Sequence, residues 1–163
     1  MQTVYVLIGA PACGKTRWAL QNAKRLGAPV LSADVVRDEI RRAGGDPFEG
    51  DRVFAELGLR LGERLASGAS VIVDATHWQR QYRSYAVNSA RAAGARLIGV
   101  WFDVPLDVCL QRNEQRIGAS PGLRREDPDT LRRIYAGLEP PALDEFDEIQ
   151  RITADDLTAL PRS

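Results

Sequence analysis

The sequence predicts an α/β fold: a parallel sheet of five strands with helices on both faces. Three observations carry that prediction. Short runs rich in apolar and β-branched residues recur along the chain. Segments with helical periodicity separate them, and glycine or proline marks the joints. Such alternation builds β-α-β units, whose crossover helices cover both sides of a parallel sheet.

The elements read in order as follows. Residues 3–8 (TVYVLI) form an unbroken apolar run, as a strand buried on both faces requires. Residues 15–26 have helical periodicity and stop at Gly27; residues 29–31 make a short strand. Residues 34–43 are a helix closed by Gly44-Gly45, and 46–50 a turn. Residues 52–66 are a helix ended by Ser67-Gly68, and 70–73 are a buried strand. A helix over 79–93 stops at Gly94, and 96–102 are the fourth strand. Residues 105–116 are a helix with proline in its first turn. Residues 117–128 hold two glycines, two prolines and Arg124-Arg125 with few apolar residues, which reads as a mobile flap. A helix over 129–138 precedes Pro140-Pro141, 148–152 are the last strand, and 161–163 are a frayed end.

The length of 163 residues suits one domain and is short for two. The expectation is a single domain over 1–163 with a lid at about 112–138. No run approaches a membrane span, and the first residues lack a signal-peptide pattern, so the expected compartment is the cytoplasm. Cys13 and Cys109 have neither ligand spacing nor partner histidines and read as free thiols. Acidic and basic residues balance at 22 each. That balance argues against a protein that coats long nucleic acid by charge, though it leaves room for a local basic groove.

The most specific chemistry lies between the first strand and the first helix. Gly9-Ala10-Pro11-Ala12-Cys13-Gly14-Lys15-Thr16 matches G-x-x-x-x-G-K-[ST] at every required position. Glycines let successive N–H groups converge on one anion, and the helix adds its positive dipole end. Lys15 then reaches the β- and γ-phosphates and the Thr16 hydroxyl ligates Mg²⁺, which makes ATP and Mg²⁺ the expected cofactors. Lys15 and Lys24 are the only lysines in the chain.

Other candidates follow from position. Asp34 sits after the second strand, where ligands of such sheets gather, and Arg37 shares its helical face. Two readings stand: Asp34 as general base for an attacking hydroxyl, or Asp34 as a helix N-cap with Arg37 a solvated partner. Asp74 ends the apolar run of the third strand and reads as the acid that orients the Mg²⁺ shell, through water. His77, the only histidine, reads as a surface or hydrogen-bonding residue. Trp78 stacks on a substrate or packs under the following helix, the second being preferred. Arg112 and Arg116 are four apart and share a face next to the flap, where a guanidinium stabilises charge in phosphoryl transfer. Arg124, Arg125, Arg132 and Arg133 read as a solvated basic face.

Taken together, G-A-P-A-C-G-K-T at 9–16, S-A-D-V-V-R at 32–37, V-I-V-D-A-T-H at 71–77, D-V-P-L-D-V-C-L-Q-R-N-E-Q-R at 103–116 and L-E-P-P at 138–141 are familiar. The chain resembles the P-loop kinase family that includes the kinase domain of bacteriophage T4 polynucleotide kinase and many stand-alone bacterial ATP-binding proteins. The resemblance implies a P-loop NTPase sheet of order 2-3-1-4-5. It implies ATP and Mg²⁺ on Gly9, Ala12, Cys13, Gly14, Lys15 and Thr16, with Arg112 over the adenine. It implies Asp34 as base, Arg37 on the acceptor phosphate or transferring group, Asp74 near the acceptor, and Arg116 as the lid arginine. Many relatives carry Asn where this chain has His77, and the phosphatase domain of the phage enzyme has no counterpart. The leading expectation is ATP-dependent phosphorylation of the 5′-hydroxyl end of RNA or DNA. The alternatives are a kinase for a small-molecule acceptor (nucleoside, sugar or antibiotic) and an ATP-binding switch without an acceptor.

Overall fold

The computed structural model describes residues 1–47, 49–117 and 124–158. The chain runs β1 (Thr3–Ile8), α1 (Lys15–Leu26), β2 (Val30–Ser32), α2 (Ala33–Arg42), α3 (Gly50–Ala66), β3 (Val71–Asp74) and α4 (Arg80–Ala92). It continues through β4 (Arg96–Asp103), α5 (Leu106–Glu114), α6 (Pro128–Ala136), β5 (Glu148–Thr153) and α7 (Ala154–Thr158). All strands pair in parallel, in the order β2-β3-β1-β4-β5. This is an α/β fold of P-loop NTPase type, and the sheet order is the one expected.

The register explains the apolar run of β1. Val4 and Val6 pair with Val71 and Val73 on one side, while Thr3 through Ile8 pair with Arg96 through Trp101 on the other. Val4, Val6 and Ile8 face a core built with Val36, Leu57, Leu61 and Ala86 of α2, α3 and α4. Leu7 faces the opposite core, with Trp18, Cys109, Leu131 and Leu157. With both faces covered, alternation disappears and every second residue serves a different core. Truncating the fully buried Leu7 or Ile8 to alanine removes about 2–5 kcal/mol of stability.

Helix ends follow local chemistry. α1 closes with Gly27 N–H donating to the Lys24 carbonyl and Ala28 N–H to the Ala23 carbonyl, the paired bonds of a Schellman motif. α6 opens with Asp127, whose carboxylate accepts from Thr130 N–H at 2.8 Å. Trp18 meets Phe102 edge to face at 6.1 Å, locking α1 against β4.

Three sequence expectations need correction. The predicted helix over 105–116 ends at Glu114, so Arg116 lies beyond it rather than on one helical face with Arg112. The reason is Asn113. Its buried side chain donates to the Glu126 carbonyl at 2.8 Å and accepts from Glu126 N–H at 2.9 Å. That two-bond clip turns the chain toward α6. Second, α7 was not anticipated: five residues carry little periodicity. Third, several boundaries move by one or two residues, as between the predicted 70–73 and the observed β3. Of the expected flap, residues 118–123 lie outside the described residues, as do 161–163, expected as a frayed end, and Phe48 in the predicted turn.

Candidate functional site

The loop from Gly9 to Thr16 sits at the carboxyl end of β1, where ligands of such sheets gather. Its first glycine is held in a tight place. Gly9 N–H donates to the Thr76 carbonyl at 3.1 Å. A Cβ there would stand 2.8 Å from Cys13 Sγ and 2.9 Å from Phe102 Cβ. At the other end Gly14 has φ 109°, a left-handed conformation that strains any residue with a side chain. Ala12 also has positive φ, at 63°. Left-handed residues in such a loop turn its N–H groups inward as an anion cradle.

Lys15 is buried, and its Nζ donates to the Gly9 carbonyl at 3.0 Å and the Ala10 carbonyl at 2.7 Å. Both partners belong to the loop itself, so the ammonium is carried across its own cradle. Arg112 reaches the same loop from α5, donating from Nη1 to the Cys13 carbonyl at 3.1 Å. Cys13 and Cys109 are buried free thiols, and burial pushes the Cys109 thiol up to about 12.

Thr16 Oγ1 donates to Asp74 Oδ2 at 2.7 Å, joining α1 to the end of β3. Asp74 is buried, and this desolvation holds its carboxyl above the usual range. Lys15 and the Thr16 hydroxyl pull the other way, Asp34 adds to the rise, and Arg116 opposes it. Lys15, Asp34 and Arg116 thus all act electrostatically on this one carboxyl. A hydroxyl beside a buried carboxylate in want of positive charge fits Mg²⁺, which takes one or two protein oxygens and completes its shell with phosphates and water. Among the described residues no group of three or more His, Cys, Asp or Glu side chains is placed to hold a metal ion.

Asp34 occupies the first turn of α2, while Ser32 holds the N-cap position and makes no side-chain bond there. The capping reading of Asp34 therefore fails. Its Oδ1 accepts from Arg37 Nη1 at 3.1 Å, and both side chains are partly exposed. Arg116 is partly exposed and donates to the Arg124 carbonyl at 3.2 Å. Arg125 donates to the Glu114 carbonyl. Arg132 pairs with exposed Asp129 at 2.9 Å, in keeping with the solvated reading.

His77 is not at the surface. It is fully buried, with φ 47°, and burial pulls its imidazole down to about 4. Its Nδ1 lies 2.8 Å from the Leu7 carbonyl and its Nε2 2.9 Å from the Tyr85 hydroxyl. A carbonyl only accepts, so Nδ1 carries the proton and Nε2 accepts from Tyr85. Trp78 packs, as preferred: its ring stacks on Tyr82 at 5.6 Å and lies against Gly137.

Sequence reasoning missed Arg83. It is fully buried on α4 and forms a two-bond pair with Glu145, each bond 2.7 Å. Arg83 also donates to the His77 carbonyl at 3.2 Å. Nothing local announces this pair, because its members lie 62 residues apart.

Phosphate loop, Thr–Asp pair and sheet order together define a P-loop protein on a kinase scaffold. The chain belongs to the AAA domain family (AAA_33), whose model matches residues 4–141. Among solved structures it is similar to a candidate kinase from Chloroflexus aurantiacus J-10-fl (21% identity, TM-score 0.77, covering 98% of this chain and 92% of that one). A sugar kinase from Janibacter sp. HTCC2649 shares 23% identity, with TM-score 0.70 and coverage of 99% and 88%. A gluconokinase from Sinorhizobium meliloti 1021 shares 22%, with TM-score 0.65 and coverage of 98% and 84%. At these identities the likeness establishes the fold. Comparison with curated proteins gave no match. No helix among the described residues is long and apolar enough to cross a membrane.

Proposed function

We propose that the protein is an ATP-dependent phosphotransferase whose acceptor is a hydroxyl of a small molecule. The observation that carries the reading is the 2.7 Å bond from Thr16 to the buried Asp74, made beside Lys15 and within the electrostatic reach of Asp34 and Arg116. Residues Gly9, Ala12, Cys13 and Gly14 cradle the triphosphate with backbone N–H groups, and Lys15 meets its β- and γ-oxygens. Thr16 and, through water, Asp74 hold Mg²⁺. The ion, when bound, neutralises charge on the β- and γ-phosphoryl oxygens. Asp34 accepts the proton of the attacking hydroxyl, and Arg37 holds the carboxylate in place. Arg116 closes on the transferring group, and Arg112 flanks the loop on the nucleotide side. The kinase domain spans 1–163, with its lid at about 112–138.

The solved structures support the small-molecule acceptor: two of them bear the names sugar kinase and gluconokinase. The balanced net charge agrees, since a tract of nucleic acid is gripped chiefly by excess cations. A second reading, phosphorylation of a 5′-hydroxyl end of RNA or DNA, is favoured by one feature. The Arg37 guanidinium beside Asp34 suits an acceptor that carries its own phosphate near the reacting hydroxyl. Turnover of γ-labelled ATP with sugars, nucleosides and 5′-hydroxyl oligonucleotides decides between them. Label on a sugar or nucleoside supports the first reading, and label on oligonucleotides alone replaces it with the second. Slow hydrolysis that no acceptor stimulates defeats both and leaves an ATP-binding switch.

A further inference from the structure

The exit of β3 is fastened to the phosphate loop at both of the loop's ends. At the far end, Thr16 Oγ1 bonds Asp74, the last residue of β3, at 2.7 Å. At the near end, two residues beyond Asp74, the Thr76 carbonyl accepts from Gly9 N–H at 3.1 Å. His77 comes next, and its Nδ1 donates to the Leu7 carbonyl at 2.8 Å. The chain turns at His77 with φ 47°, a left-handed conformation that a residue with a side chain keeps only where its surroundings over-determine it. They do so here. Arg83 Nη1 donates to the His77 carbonyl at 3.2 Å, and Glu139 N–H to the Trp78 carbonyl at 2.7 Å. The Tyr85 hydroxyl meets His77 Nε2 at 2.9 Å, and the Tyr85 ring packs on Phe54, which stacks on Tyr82. His77 is fully buried with both ring nitrogens engaged, so its ring has no atom to offer a substrate.

We propose that His77 is a positioning residue for the Mg²⁺–nucleotide site, acting through Gly9 and Asp74. The proposal rests on the reading of the loop as a triphosphate cradle with Thr16 and Asp74 beside the ion. The ring bond to Leu7 and the left-handed backbone of His77 together fix where Thr76 meets Gly9, and so where the loop starts. Three residues earlier on the same stretch, Asp74 is thereby held against Thr16. Groups that hold a metal's ligands in place are typically worth about 10–100-fold in affinity or activity. The geometry also says which replacements serve. Asparagine adopts left-handed backbone readily, and its Nδ2, like the Nδ1 of histidine, is bonded to Cγ. It therefore keeps both the turn and the Leu7 bond. Glycine keeps the turn and loses the bond, while glutamine sets its nitrogen one bond too far out.

Two measurements test this: calorimetry of ADP with Mg²⁺ or with a chelator, and amide exchange at Gly9 in the nucleotide-free protein. His77→Gly should weaken Mg²⁺–ADP by about 10–100-fold, and ADP without the ion by less, since Asp74 acts through the ion. His77→Asn should lose less than about tenfold and keep the slow Gly9 exchange that His77→Gly loses. Leu61→Ala, a cavity in the core beneath α3, should lower stability and leave the affinity unchanged, which separates positioning from general destabilisation. His77→Gln should behave as His77→Gly does, and its contrast with His77→Asn carries the test if His77→Gly does not fold. Wild-type affinity in His77→Gly, equal affinity in His77→Asn and His77→Gln, or an equal loss in Leu61→Ala overturns the proposal. Wild-type protein that binds no nucleotide, with Gly9 exchange in the expected order, overturns the triphosphate reading instead.

Discussion

Replacing Arg83 with methionine tests the energetic weight of the buried pair behind the site. The substitution keeps the length and apolar stem of the side chain and deletes its charge. Five hydrogen bonds go with it: two to Glu145 at 2.7 Å, and one each to the carbonyls of His77 (3.2 Å), Glu139 (3.0 Å) and Pro140 (3.3 Å). Glu145 then stays buried with Arg80 at 3.6 Å and the Ala142 N–H, donating at 3.4 Å, in place of its close two-bond partner. Breaking one side of a buried pair costs about 3–5 kcal/mol, because the remaining charge is left without compensation. Arg83→Met should therefore lower the unfolding free energy by about 3–5 kcal/mol, a large share of a typical domain's stability. Urea unfolding followed by far-UV circular dichroism measures it. Adding Glu145→Leu should return much of the loss, since the orphaned carboxylate is removed. A single-variant cost below about 1 kcal/mol, or a double variant as unstable as the sum of its parts, would refute the argument.

Other predictions concern the site. Lys15→Met should reduce γ-phosphoryl transfer to background in the labelled-ATP assay; near-normal turnover contradicts its role on the phosphates. Asp34→Asn should slow turnover by about 10²–10⁴ with MgATP affinity retained, read by calorimetry beside kinetics, and unchanged turnover removes Asp34 as the base. His77 carries a pH signature. Its folded value near 4 lies below the ordinary 6.5, so the unfolded chain binds the extra proton between those values. Stability from this source is complete above about 6.5 and falls as pH drops toward 4, by at most about 1.4 kcal/mol per pH unit. His77→Gln should flatten that part of the unfolding profile, and an identical slope in both proteins would show that other groups carry it.

What could be read in advance was local. β1 and α1 begin and end where the apolar run and the loop motif place them, because both are encoded within a few neighbouring residues. The convergence of Lys15, Thr16, Asp34 and Asp74 followed from one topological fact, that parallel strands deliver their carboxyl ends to a common edge. What escaped was long-range. His77 looked like a loop histidine, because its burial depends on Leu7, Tyr85 and Arg83 closing around it. Asn113 sits in an ordinary helical pattern, and its clip to Glu126 spans 13 residues. The helix predicted to reach Arg116 stops two residues short of it, at Glu114, for the same reason. The Phe54–Tyr82–Tyr85 cluster draws rings from two helices separated by β3, which no periodicity within either helix discloses.

The contact between Leu157 of α7 and Gly14 has a temporal meaning. A Cβ on Gly14 would stand 3.0 Å from Leu157, so α7 backs the phosphate loop. During synthesis the loop emerges early and its backing late. At about 5–20 residues per second, roughly 7–30 s pass between them. A nascent chain therefore exposes the phosphate loop well before Leu157 arrives to support it.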